Sequence, residues 1–206
     1  MSEIDAASPL RRSPSQKRAL ERVERLLDAA REVIREKGSD ALRMAEVAER
    51  AGVSIGSLYQ YFPDKTALIR VLADRFNADG RACIAEELAG VTDAASLRAA
   101  FRRLVGIYYG LFLEEPVIRD VWFATQADKA LRAFELESSR VNGALLADAM
   151  ARVAPKADRK ALVRSAFLVM QLGEATMRTA VSVERAEGDA LVETYLRMAL
   201  AEIAPD

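Results

Sequence analysis

From Leu20 to the C-terminus, apolar side chains recur at three- and four-residue steps, and nowhere do they alternate with polar ones as a half-buried strand requires. That spacing places them on one face of a helix, so the chain is predicted to be all-α with about nine helices. The stripe Leu20, Val23, Leu26, Leu27, Ala30, Val33, Ile34 predicts a first helix that begins near Ser15 and is closed by Gly38. Two short helices follow, over 44–50 and 54–61, separated by Ala51-Gly52-Val53 and stopped by Pro63. Asp64 can cap a longer helix that carries Leu68, Val71, Leu72 and Phe76 to about residue 88. Beyond Gly90, helical periods span 97–113, 116–126, 129–153, 158–184 and 189–203, punctuated by Thr92, Pro116, Pro155 and Gly188.

Composition narrows the chemistry. The chain has 206 residues, of which 51% are hydrophobic and 30% charged, which is too apolar for disorder. No apolar run approaches the ~20 residues that span a bilayer, so no membrane partner is expected. The opening MSEIDAASPLRRSPSQ has no apolar stretch behind its basic residues, so a secretory role is not expected and the cytoplasm is the predicted location. Histidine is absent, which removes the commonest general base, the commonest transition-metal ligand and any Ser-His nucleophile pair. Cys83 is the lone cysteine, read as an inert thiol, so neither an intrachain disulfide nor a thiolate zinc cluster is available. Adjacent acids such as Glu86-Glu87 and Glu114-Glu115 do not face each other on a helix. No enzymatic activity, metal or cofactor is therefore expected. The net charge is −1, so any polyanion must be held by a local basic surface. Residues 10–25 supply one, with six basic side chains (Arg11, Arg12, Lys17, Arg18, Arg22, Arg25) against Glu21 and Glu24.

The segment AEVAERAGVSIGSLYQYFPDK has the form of a helix-turn-helix. Val47, Ala48, Val53 and Leu58 are apolar where two short helices must pack, and Gly52 falls where the tight turn favours a left-handed backbone. Ser54 can cap the second helix, whose first turn presents Ile55, Gly56 and Ser57, the end that meets base edges in a major groove. Tyr59, Tyr61 and Lys65 can reach phosphates, and Gln60 a base or a phosphate.

GVSIGSLYQYFPDK resembles the helix-turn-helix signature of the TetR family of transcriptional regulators, and RLLDAAREVIREKG resembles the family's first helix, so the likeness covers about 23–72. The resemblance implies that Ile55, Gly56 and Ser57 face bases and that Tyr59, Tyr61 and Lys65 hold phosphates of a palindromic double-stranded operator. Where the family commonly carries Thr-Thr, this chain has Leu42-Arg43; Arg43 forfeits a cap but can reach the DNA backbone as a longer cation. Three regions follow: a basic arm over 1–14, a DNA-binding domain over 15–64 and a ligand-binding and dimerisation domain over 65–206. The arm can track phosphates or a minor groove, or remain a solvated tail.

The resemblance also implies a homodimer joined through the last two long helices. Phe167, Met170, Gly173, Thr176 and Met177, with Leu191, Tyr195 and Met198, have the size and spacing of such a seam, although they also suit ordinary core packing. For a small-molecule effector the densest candidate set is Tyr108, Tyr109, Phe112, Trp122, Phe123 and Gln126, with Asn142, Gln171 and Glu174 as inward polar groups. The scarcity of evident inward cations points to an apolar or aromatic effector. An interior cavity would favour a repressor released by that effector, and a fully packed interior a constitutive or protein-controlled dimer.

Overall fold

The computed structural model describes residues 14–205. The basic arm predicted over 1–14, with Arg11 and Arg12, falls outside the described residues but for Pro14. Among those described are nine α-helices and no strand: α1 (Pro14–Lys37), α2 (Met44–Arg50), α3 (Ile55–Tyr61), α4 (Lys65–Ala89), α5 (Ala94–Glu114), α6 (Pro116–Ala127), α7 (Lys129–Val153), α8 (Arg159–Ala180) and α9 (Arg185–Ile203). Starts are set by caps: the carboxylates of Asp64, Asp93, Asp128 and Asp158 accept backbone N–H groups in the first turns of α4, α5, α7 and α8. Pro116 opens α6, where its fixed φ suits a first turn and its missing N–H has no helical partner to lose.

One boundary departs from the sequence expectation. α8 ends at Ala180 and α9 starts at Arg185, so Gly188 lies inside a helix rather than between two. Its N–H donates to the Glu184 carbonyl at 2.9 Å. A Cβ at this position would collide with the Ala180 carbonyl oxygen and stand 3.0 Å from the Tyr109 hydroxyl. The glycine therefore serves the close approach of α9 to the end of α8. Gly188→Ala is expected to destabilise the chain by about 1–3 kcal/mol through overpacking; an unchanged thermal midpoint would show that the approach is not tight.

Two hydrophobic clusters form the interior. The first unites α1 to α3 with Leu68, Ile69, Leu72 and Ala73 of α4, and reaches Val117 and Val121 of α6. The second is built from α5, α7, α8 and α9, with Leu88 of α4 and Trp122 of α6. α4 and α6 thus belong to both. The junction is also polar: the Ser39 N–H donates to the Asp120 carboxylate at 2.6 Å, just after Gly38 (φ 84°) closes α1. Arg75 of α4 forks onto both carboxylate oxygens of Glu24 at 2.5 Å each, which holds Glu24 below the usual carboxylate range.

Candidate nucleic-acid interface and interior cavity

The second short helix stands on a core of Val47, Ala48 and Leu58, all buried. Gly52 takes φ 65° with nothing near its missing Cβ, so backbone conformation rather than crowding calls for glycine. The Ser54 hydroxyl accepts the Ser57 N–H at 3.2 Å and caps α3. Arg43, in the capping position of α2, makes no such bond and is exposed. α2 is tied to α1 instead by Arg50, which donates to Glu36 and Glu46 at 2.6–2.8 Å, and by Lys37, which donates to Glu46 at 2.7 Å.

On the outer side of α3, Ile55 is 43% exposed and Tyr59 49%, with Gly56 and Gln60 also exposed. Ser57 is half-buried, and its hydroxyl accepts Arg22 Nη1 at 3.4 Å, which brings the basic run of α1 to α3. Arg22 was visible in the sequence as part of that run, yet nothing local linked it to Ser57. Tyr61 is half-buried against the module core, and Lys65 Nζ donates to the Asp40 carbonyl at 2.9 Å. The exposed face of α3 is therefore short, partly apolar and flanked by cations, the form that major-groove reading requires.

Residues 26–72 match the family model described as bacterial regulatory proteins, tetR family, and residues 95–206 match the tetracyclin repressor-like C-terminal domain. The chain belongs to the TetR family. It is thus a DNA-binding transcription regulator and not an enzyme. An uncharacterized HTH-type transcriptional regulator from the dhlA 5' region of Xanthobacter autotrophicus is 27% identical, over 88% of this chain and 90% of its own length. The transcriptional repressor KstR of Mycolicibacterium smegmatis is 47% identical over 49 residues, 24% of each chain. A TetR-family regulator from Streptomyces coelicolor shares the fold with a TM-score of 0.70, 23% identity, and coverage of 90% of this chain and 97% of that one. Among the described residues no helix is long and apolar enough to cross a membrane.

Behind the recognition module, this TetR-family chain encloses a cavity of about 570 Å³ bounded by α1, α4, α5, α6, α7, α8 and α9. Of the sequence candidates, Tyr108, Trp122, Asn142 and Glu174 line it. Phe112 does not reach it; fully buried, it packs edge-on against Tyr108 at 5.0 Å and supports Trp122 at 5.9 Å. Tyr109 turns to the other side of α5, where its hydroxyl donates to Asp189 at 2.9 Å. Phe123 is exposed, Gln126 lies outside the lining, and Gln171 stands behind the wall, donating to Ser139 at 2.7 Å and Glu174 at 3.2 Å. Phe76, Asn77 and Ile84 of α4 and Phe101 of α5 are lining residues that sequence reasoning missed. Cys83 also lines it, its thiol pushed up by burial and the nearby Glu87 and Glu86, so it is a poor nucleophile near neutrality. The expected lack of inward cations is corrected: Arg31 and Arg35 of α1 reach the rim.

The predicted dimer seam is divided by the structure. Met170, Gly173, Met177 and Tyr195 face the cavity, and Phe167 lies under the Arg140 guanidinium of α7 at 4.5 Å. Thr176, Leu191 and Met198 instead line an outer groove of about 530 Å³ between α8 and α9, together with Leu168 and Leu172. Leu168 and Met198 are 56% and 61% exposed there. α8 is apolar on two faces, and the seam candidates fall on both; Tyr195 lines the groove as well as the cavity.

Proposed function

We propose that this chain is a sequence-specific transcriptional repressor, a two-fold homodimer released from a palindromic operator by a small molecule bound in the 570 Å³ cavity. The observation that carries the reading is that the cavity's walls are rooted in the DNA-binding module. Phe76 and Asn77 on α4 and Ile118 and Trp122 on α6 line the cavity, while Ile69 and Leu72, and Val117 and Val121, pack in the module core. A ligand that favours a wider cavity moves these helices and with them the recognition helix, to the extent of its differential affinity. The exposed apolar groove of α8 and α9 supports the dimer, which sets two recognition helices about 34–36 Å apart. The cavity favours this reading over a constitutive dimer with a packed interior.

In the proposed roles, Ile55, Gly56, Ser57 and Gln60 read bases, and Tyr59, Tyr61, Lys65 and Arg43 hold phosphates. Sites selected from a random DNA pool by the full chain should be palindromic, and a screen of small molecules against that complex should find compounds that release it. Tyr59→Phe and Lys65→Ala should each weaken binding to all selected sites alike, and Lys65→Ala, which removes a charge, should also lower the salt slope by about 0.9. An unchanged slope in Lys65→Ala would remove Lys65 from the phosphate contacts, and an unchanged affinity in Tyr59→Phe would remove Tyr59. Non-palindromic selected sites would refute the two-fold reading.

A further inference from the structure

The cavity's polar groups are unevenly placed. At the rim stand Arg31, Arg35, Asp79 and Glu115, with Arg35 and Glu115 3.9 Å apart and Arg31 Nε buried without a hydrogen-bond partner. At the floor the balance fails. Glu174 of α8 lines the cavity at 9% exposure, and Glu135 of α7, at 3% and outside the lining, accepts from the amide of the lining residue Asn77 at 3.4 Å. The cation that acts on both carboxylates is the Arg178 guanidinium, which lies outside the cavity wall and makes no ion pair with either among the described residues. Arg81 of α4 donates to Ser138 and Arg140 of α7 stacks on Phe167, so both are engaged elsewhere. The remaining neighbours of the pair are neutral: Ser139 and Gln171 donate to Glu174, and Tyr108 of α5 and Tyr195 of α9 flank it. Glu135 Oε2 and Asn142 Oδ1 are buried with no hydrogen-bond partner.

With both carboxylates ionised, one guanidinium leaves an excess negative charge that is costly in an apolar interior, so the free chain meets it with protons and a bound cation could take their place. We propose that the cavity takes an apolar ligand with a single cationic amine head, seated on Glu174 beside Asn142, with Glu135 adding charge from behind. The rings of Phe101, Tyr108, Trp122 and Tyr195 line the space around that seat and present the faces that attract an ammonium. This inference rests on the ligand-responsive reading and names the class of ligand. Burial holds the carboxyls of Glu135 and Glu174 up to about 7, so near neutrality the free chain keeps protons there that an ammonium would expel. Binding should therefore strengthen with pH.

Calorimetry on the full chain with 4-phenylbutylammonium, 4-phenylbutanol and 4-phenylbutanoate, three heads on one apolar body, tests the proposal. The ammonium should bind at least tenfold tighter than either analogue at pH 8, and about tenfold more weakly at pH 6 than at pH 8, the change expected for one expelled proton. Glu174→Gln should abolish the preference while its circular-dichroism melt stays cooperative; the head-group comparison on the unaltered chain does not depend on that variant. Equal or tighter binding of the alcohol or carboxylate, or no binding of any of the three, overturns the assignment. Ammonium binding of the expected kind with unchanged operator affinity would leave the assignment standing and sink the ligand-responsive reading.

Discussion

Replacing Leu58 with alanine is expected to cost about 2–5 kcal/mol and to abolish operator binding. Leu58 is the fully buried side chain of α3, a helix of 7 residues. So short a helix has little stability of its own and is held by the apolar face it buries, here against Val47, Ala48 and the α1 stripe. Truncation leaves a void where α3 is anchored, and the outward side chains Ile55, Tyr59 and Gln60 lose their common geometry. The far-UV signal should fall little, because α2 and α3 are 7 residues each in a chain of nine described helices. Fluorescence anisotropy with a selected DNA site, alongside a thermal melt, makes the measurement; operator affinity within twofold of the parent would contradict the assigned role.

The double replacement Glu135→Gln and Glu174→Gln is expected to stabilise the chain at pH 8 by on the order of 6 kcal/mol, about 3 for each carboxyl, and to change it little at pH 4. Both carboxyls have a folded pKa of about 7, raised first by burial and, for Glu135, next by the charge of Glu174. A raised carboxyl pKa stabilises the fold fully below its unfolded value, near 4.5, and loses that contribution as pH climbs through 7. The parent should therefore lose stability relative to the variant across roughly pH 4.5 to 7, and the gap should plateau above it. Glutamine still accepts from Ser139, so the hydrogen bond is not what changes. Chemical denaturation at several pH values reads the gap directly; a difference that is flat with pH would show that the pair is not buried as charge. A cavity floor that weakens the free protein at neutral pH is also one that a matching ligand can stabilise by mass action.

The helical architecture was legible because one period runs through the whole chain. α2 falls on the predicted 44–50 and α7 on 129–153. The recognition segment was legible for a related reason: a cap at Ser54, a left-handed Gly52 and a buried Leu58 are local demands, met by residues a few positions apart. The misplaced residues share the opposite property. Tyr108 and Tyr109 are neighbours in sequence, yet about 100° apart around α5, so one lines the cavity and the other bonds Asp189. Met170 and Met177 carry the apolar character of a seam, and only the packing of α8 against its neighbours turns them to the cavity, while Tyr195 lines both the cavity and the outer groove. Gly188 has the composition of a helix stop and the position of a helix contact.

The sequence by itself determined the fold class, the helix order, the family and the separate demands of the recognition turn, since each depends on spacing along a few turns of chain. Tertiary structure alone decided which face of each long helix looks into the cavity, that Arg31 and Arg35 of the first helix reach its rim, and that Glu135, 39 positions from Glu174 in sequence, stands close enough behind that lining residue to feel its charge. A period states that a helix has an apolar face. It does not state what that face meets, because burial and charge balance are properties of several helices brought together.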